Sequence, residues 1–400
     1  MKTLVCIAFA EALAAPEVAW SLVDAGFQVV AIARKGRHAA LRQSAHVQAV
    51  EVTSPEVDCS ATLAGMERWL ATQHRTPDQP GVIFALDDAA VWLFNQLKLE
   101  QGWIMVGPRG AAAELALDKE IQVRVAHAAG LKVPLTTVAT TPAEVLARSK
   151  ELPLVLRPSR AVLPGQGRLH KGRNWICATS SELERSVSAW AGAWPLLVQP
   201  FIQGSGEGVF GLATDKGVRA WSAHRRLRMM NPHGSGSSAC ASQPVPAEIK
   251  PALDRLIRQT GWRGLFMVEL LRDHAGTLWF VELNGRPWGS MALSRRQGLE
   301  YPAWAVEYGL NPGARVDIDL AVKDSVVCRN AGRELMHLLF VLHGPKSKAF
   351  QEWPSVWRTA LQLLSVSRHD SLYNWRHDDL RVFFSDSWYT VRDNLCKSRN

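Results

Sequence analysis

The order of strand and helix signals over the first quarter of the chain restricts its fold more than any other feature. Apolar, β-branched runs of strand length recur at LVCIAF (4–9), QVVAIA (28–33), HVQAVEV (46–52), GVIFAL (81–86) and WIMVGP (103–108). Helical stretches lie between them, the first running through Trp20 and a second near Met66 to Thr72. Such alternation predicts a parallel sheet with crossover helices. The turn after the first strand, Ala8 to Pro16, contains no glycine, so the GxGxxG dinucleotide fingerprint is missing. A Rossmann-like sheet without NAD binding is therefore expected. The chain also lacks GxxxxGK[ST], HExxH and GxSxG, which argues against P-loop, zincin and serine-elbow chemistry.

With 400 residues the chain exceeds one compact core, and its net charge of +9 favours an anionic partner: nucleic acid, membrane or phosphate. The six cysteines are scattered without a CxxC or Cys/His cluster, so neither a disulfide framework nor a zinc site is expected. The apolar start is short and broken by Glu11, reading better as a strand over Thr3 to Ala8 than as a signal peptide. With no run long enough for a membrane span, a cytoplasmic enzyme is the expectation.

Beyond Gly107 the stretch AAAELALDKEIQVRVAHAAG reads as a helix ending at Gly130. After the strand LPLVLRP comes a glycine-bearing loop, Ser159 to Arg173, with Arg160, Arg168, His170, Lys171 and Arg173. LLVQPFI and GSGEGVFGLA follow as strands, then a strand with Arg225 and Arg226, a loop at Asn231 to Ala239, and a hairpin of LFMVELLRD and TLWFVELN. The last 75 or so residues read as helices with Trp353, Trp357, Trp375 and Trp388.

The hairpin carries the chemistry. With Asp273 to Gly276 as a four-residue turn, Arg272 faces Thr277 and Glu269 lies opposite Phe280. Glu282 and Asn284 then follow on the same face. Diagonal neighbours roughly 7 to 8 Å apart can converge on divalent cations, and two Glu with an Asn are hard oxygen donors suited to Mg²⁺. A turn shorter by one residue would put Glu269 and Glu282 on opposite faces. Two solvated glutamates are the alternative.

Taken with FVELNGRPWGSM, in which Arg286 follows the acidic pair, the order of these pieces from about Gly107 to Pro302 resembles the ATP-grasp superfamily. The likeness is to the ATP-binding halves of carbamoyl-phosphate synthase and biotin carboxylase. It implies an α/β chain: a Rossmann-like domain (1–107), an ATP-grasp domain (108–325, lid about 151–197) and a helical extension (326–400). It also implies ATP with Mg²⁺, or Mn²⁺, as cofactor. Lys119 matches the family's first phosphate lysine. Arg157 stands where a second lysine is usual, keeping the charge but not the shape. The loop 159–173 corresponds to a flexible lid. Gln199, Pro200 and Ile202 match the adenine hinge, Glu207 the ribose contact, and Arg225 or its neighbour Arg226 a substrate- or phosphate-facing position. Gly234, Ser235, Gly236, Ser237 and Ser238 could supply amides and hydroxyls to a substrate carboxylate. Glu269, Glu282 and Asn284 correspond to the metal ligands, and Arg286 to the arginine that stabilises the transferring phosphoryl group.

What the resemblance implies is a carboxylate-amine (or thiol) ligase working through an acyl-phosphate, with small-molecule substrates and a homodimer as an open assembly. A catalytically degenerate ATP-binding module, motivated by Arg157, and a kinase on the same fold stay open beside it. A nucleic-acid binder, motivated by the basic clusters, ranks below these, since carboxylates share the proposed phosphate face. For the tail, a packed helical extension stands against a cleft cap or a membrane-surface segment.

Overall fold

The computed structural model describes residues 2–234, 236–313, 325–350, 352–365, 367 and 370–399. Its first sheet contains β1 (Leu4–Ala8), β2 (Gln28–Arg34), β3 (Gln48–Val52), β4 (Gly81–Ala85) and β5 (Trp103–Val106), all parallel, in the order β3-β2-β1-β4-β5. Strands β1 and β4 are buried along their whole length, as central parallel strands covered on both faces must be. Their shared carboxyl ends form the point where the strand order reverses, and in open α/β sheets that crevice is where ligands sit. Leu13, Leu86, Asp87 and Asp88 at this edge line the large cleft of the molecule.

Six further strands follow: β6 (Thr137–Ala139), β7 (Leu154–Pro158), β8 (Leu163–Gly165), β9 (Arg168–His170), β10 (Trp175–Cys177) and β11 (Leu196–Pro200). Four of them make an antiparallel sheet in the order β10-β7-β11-β6, while β8 and β9 form a hairpin of their own. The third sheet holds β12 (Gly204–Thr214), β13 (Gly217–Met229), β14 (Ser237–Gln243), β15 (Gly264–Asp273), β16 (Leu278–Asn284), β17 (Val327–Arg329) and β18 (Asp370–Leu372). It is ordered β16-β15-β12-β13-β14-β17-β18. Under its centre Phe210 stacks on Trp288 at 4.4 Å, and Tyr301 meets Trp288 edge-on at 5.1 Å. Such aromatic contacts add about 1 kcal/mol each beyond area burial. Of the chain's 16 tryptophans, Trp20, Trp190, Trp262 and Trp288 are fully buried.

Three sequence expectations are corrected. The single helix after Gly107 is two, Ala111–Leu117 and Lys119–Ala128, because Asp118 leaves helical geometry and its carboxylate accepts from the Glu120 and Ile121 amides as an N-cap. The tail is not purely helical. Strands β17 and β18 extend the third sheet, and the segment after Asp370 returns to the first: Asp379 accepts from Trp20 Nε1 at 2.9 Å and from the Ala45 amide at 3.0 Å, and Tyr389 stacks on His38. The basic loop 159–173 contains the β8/β9 hairpin instead of open coil. Its tip is fastened to the first sheet's layer by the Cys59 amide donating to Gly167 O at 2.8 Å and the Leu169 amide to Pro55 O at 2.9 Å. Val162 and Leu169 are buried against that layer.

Candidate functional site

The hairpin of β15 and β16 turns through three residues, not four. The Asp273 amide donates to Thr277 O, Gly276 takes the left-handed conformation (φ 82°), and Arg272 pairs with Leu278. That shorter turn alone would send Glu282 to the far face. A bulge at Val281 inserts one extra residue between Phe280, which pairs with Leu270, and Glu282. Glu269 and Glu282 are thus direct cross-strand partners on one face. The Val281 carbonyl accepts from Arg157 Nη1 at 3.3 Å. The outer edge of β16 is held by the Gln122 amide, which both donates to Leu283 O and accepts from its N–H at 2.9 Å, replacing a neighbouring strand.

Around this pair lies a cleft of ≈ 1730 Å³ bounded by all three sheets. Glu282 accepts from Lys119 Nζ at 2.5 Å, from Arg157 at 3.1 Å and from Asn284 Nδ2 at 3.2 Å. The break at Asp118 puts Lys119 at the first turn of its helix, aimed at the carboxylate. Burial works to raise the Glu282 carboxyl, but Lys119 and Arg157 outweigh it and hold the group well below the ordinary range. Glu269 pairs with Arg226 at 2.7 Å. Arg286 donates to Asp88 Oδ1 at 3.0 Å, so the first sheet's carboxyl edge orients an arginine of the third sheet's following loop. Although burial works against its charge, Asp88 and Glu282 raise the Arg286 guanidinium above its usual range. His224 on β13 donates or accepts at Ser290 Oγ through Nδ1 at 2.8 Å, and its Nε2 has no partner among the described residues.

The structure therefore brings Lys119, Arg157, Glu269, Glu282, Asn284 and Arg286 into one cleft, with Gln199, Pro200 and Ile202 on its wall. Gln199 is buried and donates to Thr136 Oγ1 at 2.8 Å. Two expected site residues are not brought there. Glu207 and Arg225 are cross-strand partners on the opposite face of β12 and β13: Glu207 is buried and tied to Arg272 and to Gln243 Nε2 at 2.8 Å, while Arg225 is exposed. The alternation that removes them delivers Arg226 and His224 instead. In the loop after β13, Gly234, Gly236 and Ser237 line the cleft, Ser238 is buried in β14, and Ser235 lies outside the described residues. The partner missed in the sequence is Asp88; an acidic residue opening a helix just past a parallel strand was its only local signal.

No family model matches the chain. A carbamoyl phosphate synthase large chain from Thermotoga neapolitana is 25% identical over 274 residues, covering 61% of this chain and 24% of its own length. The chain thus spans about a quarter of that relative. Among solved structures, an L-amino acid ligase from Bacillus licheniformis superposes with a TM-score of 0.59 at 16% identity, covering 82% of this chain and 78% of its own. An N5-carboxyaminoimidazole synthetase from Staphylococcus aureus gives 0.59 at 14% identity, covering 84% of each. A biotin carboxylase from Campylobacter jejuni gives 0.60 at 13% identity over 82% and 74%. The chain has a mixed α/β fold of the ATP-grasp type.

Proposed function

We propose, with the ATP-grasp type fold as premise, that this chain is an ATP-dependent ligase that activates a carboxylate as an acyl-phosphate and passes it to an amine. The observation that carries the reading is the convergence of Lys119, Arg157 and Asn284 on Glu282, directly opposite Glu269. Phosphoryl transfer asks little covalent help of a protein; it asks for alignment and for charge placed around the phosphates. The reading includes a cytoplasmic setting. No helix among the described residues is long and apolar enough to cross a membrane.

The donor set fits a hard divalent cation. Two carboxylates and one amide fall short of an all-protein cage, and Mg²⁺ is bound in that way, by one or two carboxylates together with phosphate oxygens. Glu269, Glu282 and Asn284 through Oδ1 would hold it. When bound, Mg²⁺, or Mn²⁺ in its place, neutralises phosphate charge and orients the transferred group. Lys119 and Arg157 would take phosphate oxygens, and the Gln199 to Ile202 segment, where the strand ladder ends, would offer main-chain groups to a nucleobase. Arg286, held by Asp88, would face the reacting carboxylate. Arg160, Ala161, Lys171, Gly172 and Arg173, at the base of the β8/β9 hairpin, line one side of the cleft, where they would help keep water from an activated acyl group.

A phosphate-release screen over paired carboxylates and amines tests the reading, with Glu282→Ala as control. Stimulated release that the control lacks supports it. ATP binding without stimulated release favours a degenerate binding module, the reading that Arg157 motivates. Absence of ATP binding removes both.

A further inference from the structure

We infer that Arg333 forms a second anion-binding subsite in the cleft, taking a carboxylate that a substrate carries in addition to the group that reacts. The inference rests on the ligase reading and deepens it. Arg333 lies outside the segment that resembles ATP-grasp proteins, in the first turn of the helix Ala331–His343, yet it lines the same cleft. That helix is fastened to the third sheet at its start: the Asn330 amide donates to Ser238 O at 2.8 Å, and Asn330 Oδ1 accepts from the Arg333 amide at 2.9 Å. Further along, Glu334 pairs with Arg228 at 2.6 Å and His337 Nδ1 meets Met229 O at 2.6 Å. The Arg333 side chain therefore projects from a fixed base.

Its head group is under-used. Nη1 donates to Ser237 O at 3.2 Å, and no carboxylate among the described residues lies within 4.0 Å. The floor cations differ: Lys119 and Arg157 have Glu282, Arg226 has Glu269, and Arg286 has Asp88. Lys171, Arg173, Arg185 and Lys346 at the rim are solvent-exposed, so water serves them. Arg333 is partly buried, and burial lowers its guanidinium from the usual range against the pull of Asp386 and Tyr373, with Arg226 adding to the lowering. Asp386 does not neutralise it by contact; its carboxylate accepts from Asn330 Nδ2 at 3.3 Å and Asn374 Nδ2 at 2.9 Å. A half-buried guanidinium with no counter-charge in contact keeps spare donors, and it presents a planar fork suited to a carboxylate. Gly236 completes the arrangement. A Cβ at that position would stand 2.8 Å from Arg333 Nη1, so a side chain there would push the head group from its present position along the loop.

Two substrates share this chemistry: a dicarboxylate acyl donor, and an amino acid acceptor whose own carboxylate stays unreacted. Calorimetry on the full chain with ADP and Mg²⁺ present can separate them, using succinate, glutarate and adipate, a panel of α-amino acids, and the matching monocarboxylates and decarboxylated amines. Arg333→Met and Gly236→Ala are expected to weaken binding of one of the first two classes about tenfold to a hundredfold. Monocarboxylate, amine and ADP affinities should stay unchanged, and Arg333→Lys should recover part of the loss. Loss confined to dicarboxylates assigns the subsite to the donor; loss confined to amino acids assigns it to the acceptor. Equal loss for every probe, no loss in either variant, or no binding of any two-group probe by the wild type overturns the proposal. Because binding is read without turnover, a chain that binds ADP and these probes but releases no phosphate would sink the ligase reading and leave the subsite standing.

Discussion

Glu269 and Glu282 stand directly opposite each other across β15 and β16, and the bulge at Val281 is what aligns them. Glu282 also neutralises Lys119 and Arg157, so on the proposed reading its charge would serve the cation as well. Glu282→Gln should lower Mg²⁺-dependent phosphate release by at least about a hundredfold while Mg²⁺-free nucleotide affinity changes by less than about tenfold. Fluorescent-nucleotide titration and a phosphate assay check this. Turnover close to wild type would remove Glu282 from the reaction.

His224 gives the folded chain a pH dependence of known sign. Burial, with Arg226 adding, lowers the imidazole from 6.5 to about 3, so the unfolded chain takes up a proton that the folded chain refuses. Stability is therefore intact above about pH 6.5 and falls as pH drops toward about 3. His38, His233 and His337 are lowered as well and add to the loss, whereas the raised carboxyls of Glu11 and Asp386 oppose it. The difference between wild type and His224→Gln isolates the residue. Urea unfolding at about pH 7 and about pH 5 should show the variant losing less stability by about 2 kcal/mol. Equal losses would mean that the imidazole is protonated inside the fold.

The alternation of the first hundred residues and the two glutamates of the hairpin were legible because local periodicity encodes them. Register was not. A turn shortened by one residue and a bulge at Val281 offset each other, and neither leaves a mark in a regular alternating pattern. Periodicity also shows that Arg225 and Arg226 face opposite ways but not which of them faces the cleft, since that depends on what packs beneath β13. Strands β17 and β18 are three residues each and exist through pairing with distant partners, so a local reading makes the tail all helix. The Asp88 to Arg286 contact joins positions 198 residues apart, beyond the reach of any motif.

That contact is testable by itself. Asp88→Asn keeps the shape but removes the charge that fixes Arg286, so the guanidinium loses its orientation and its neutralising partner. Phosphate release should drop about tenfold through kcat, with nucleotide affinity and KM for ATP little changed. An effect confined to KM would place Asp88 in nucleotide binding.

Arg157 replaces the lysine that the resemblance leads one to expect, and the structure shows what its larger head group does: one nitrogen holds Glu282 and another holds the bulge carbonyl of Val281. A lysine has one side-chain nitrogen and lacks the fork that reaches both acceptors in this geometry. Arg157→Lys should therefore reduce phosphate release about tenfold. An increase instead would identify the arginine as the lesion of a degenerate binding module.

The β8/β9 hairpin is held down by burial more than by charge. Leu169 is 2% exposed and packs with Val162 against the first sheet's layer, while two backbone hydrogen bonds at Gly167 and Leu169 complete the seam. Truncating a buried leucine costs about 2 to 5 kcal/mol when the site is rigid. A hairpin seated by so few contacts can lift off at less than the cost of global unfolding. Leu169→Ala should therefore raise hydrogen exchange and protease cleavage within 159–173 without a matching change in the β1 or β15 amides. If the hairpin protects an activated acyl group, the same variant should also release more phosphate in the absence of amine, relative to the wild type. Faster exchange spread evenly over the whole chain would show that Leu169 belongs to the global core and not to a separable cover.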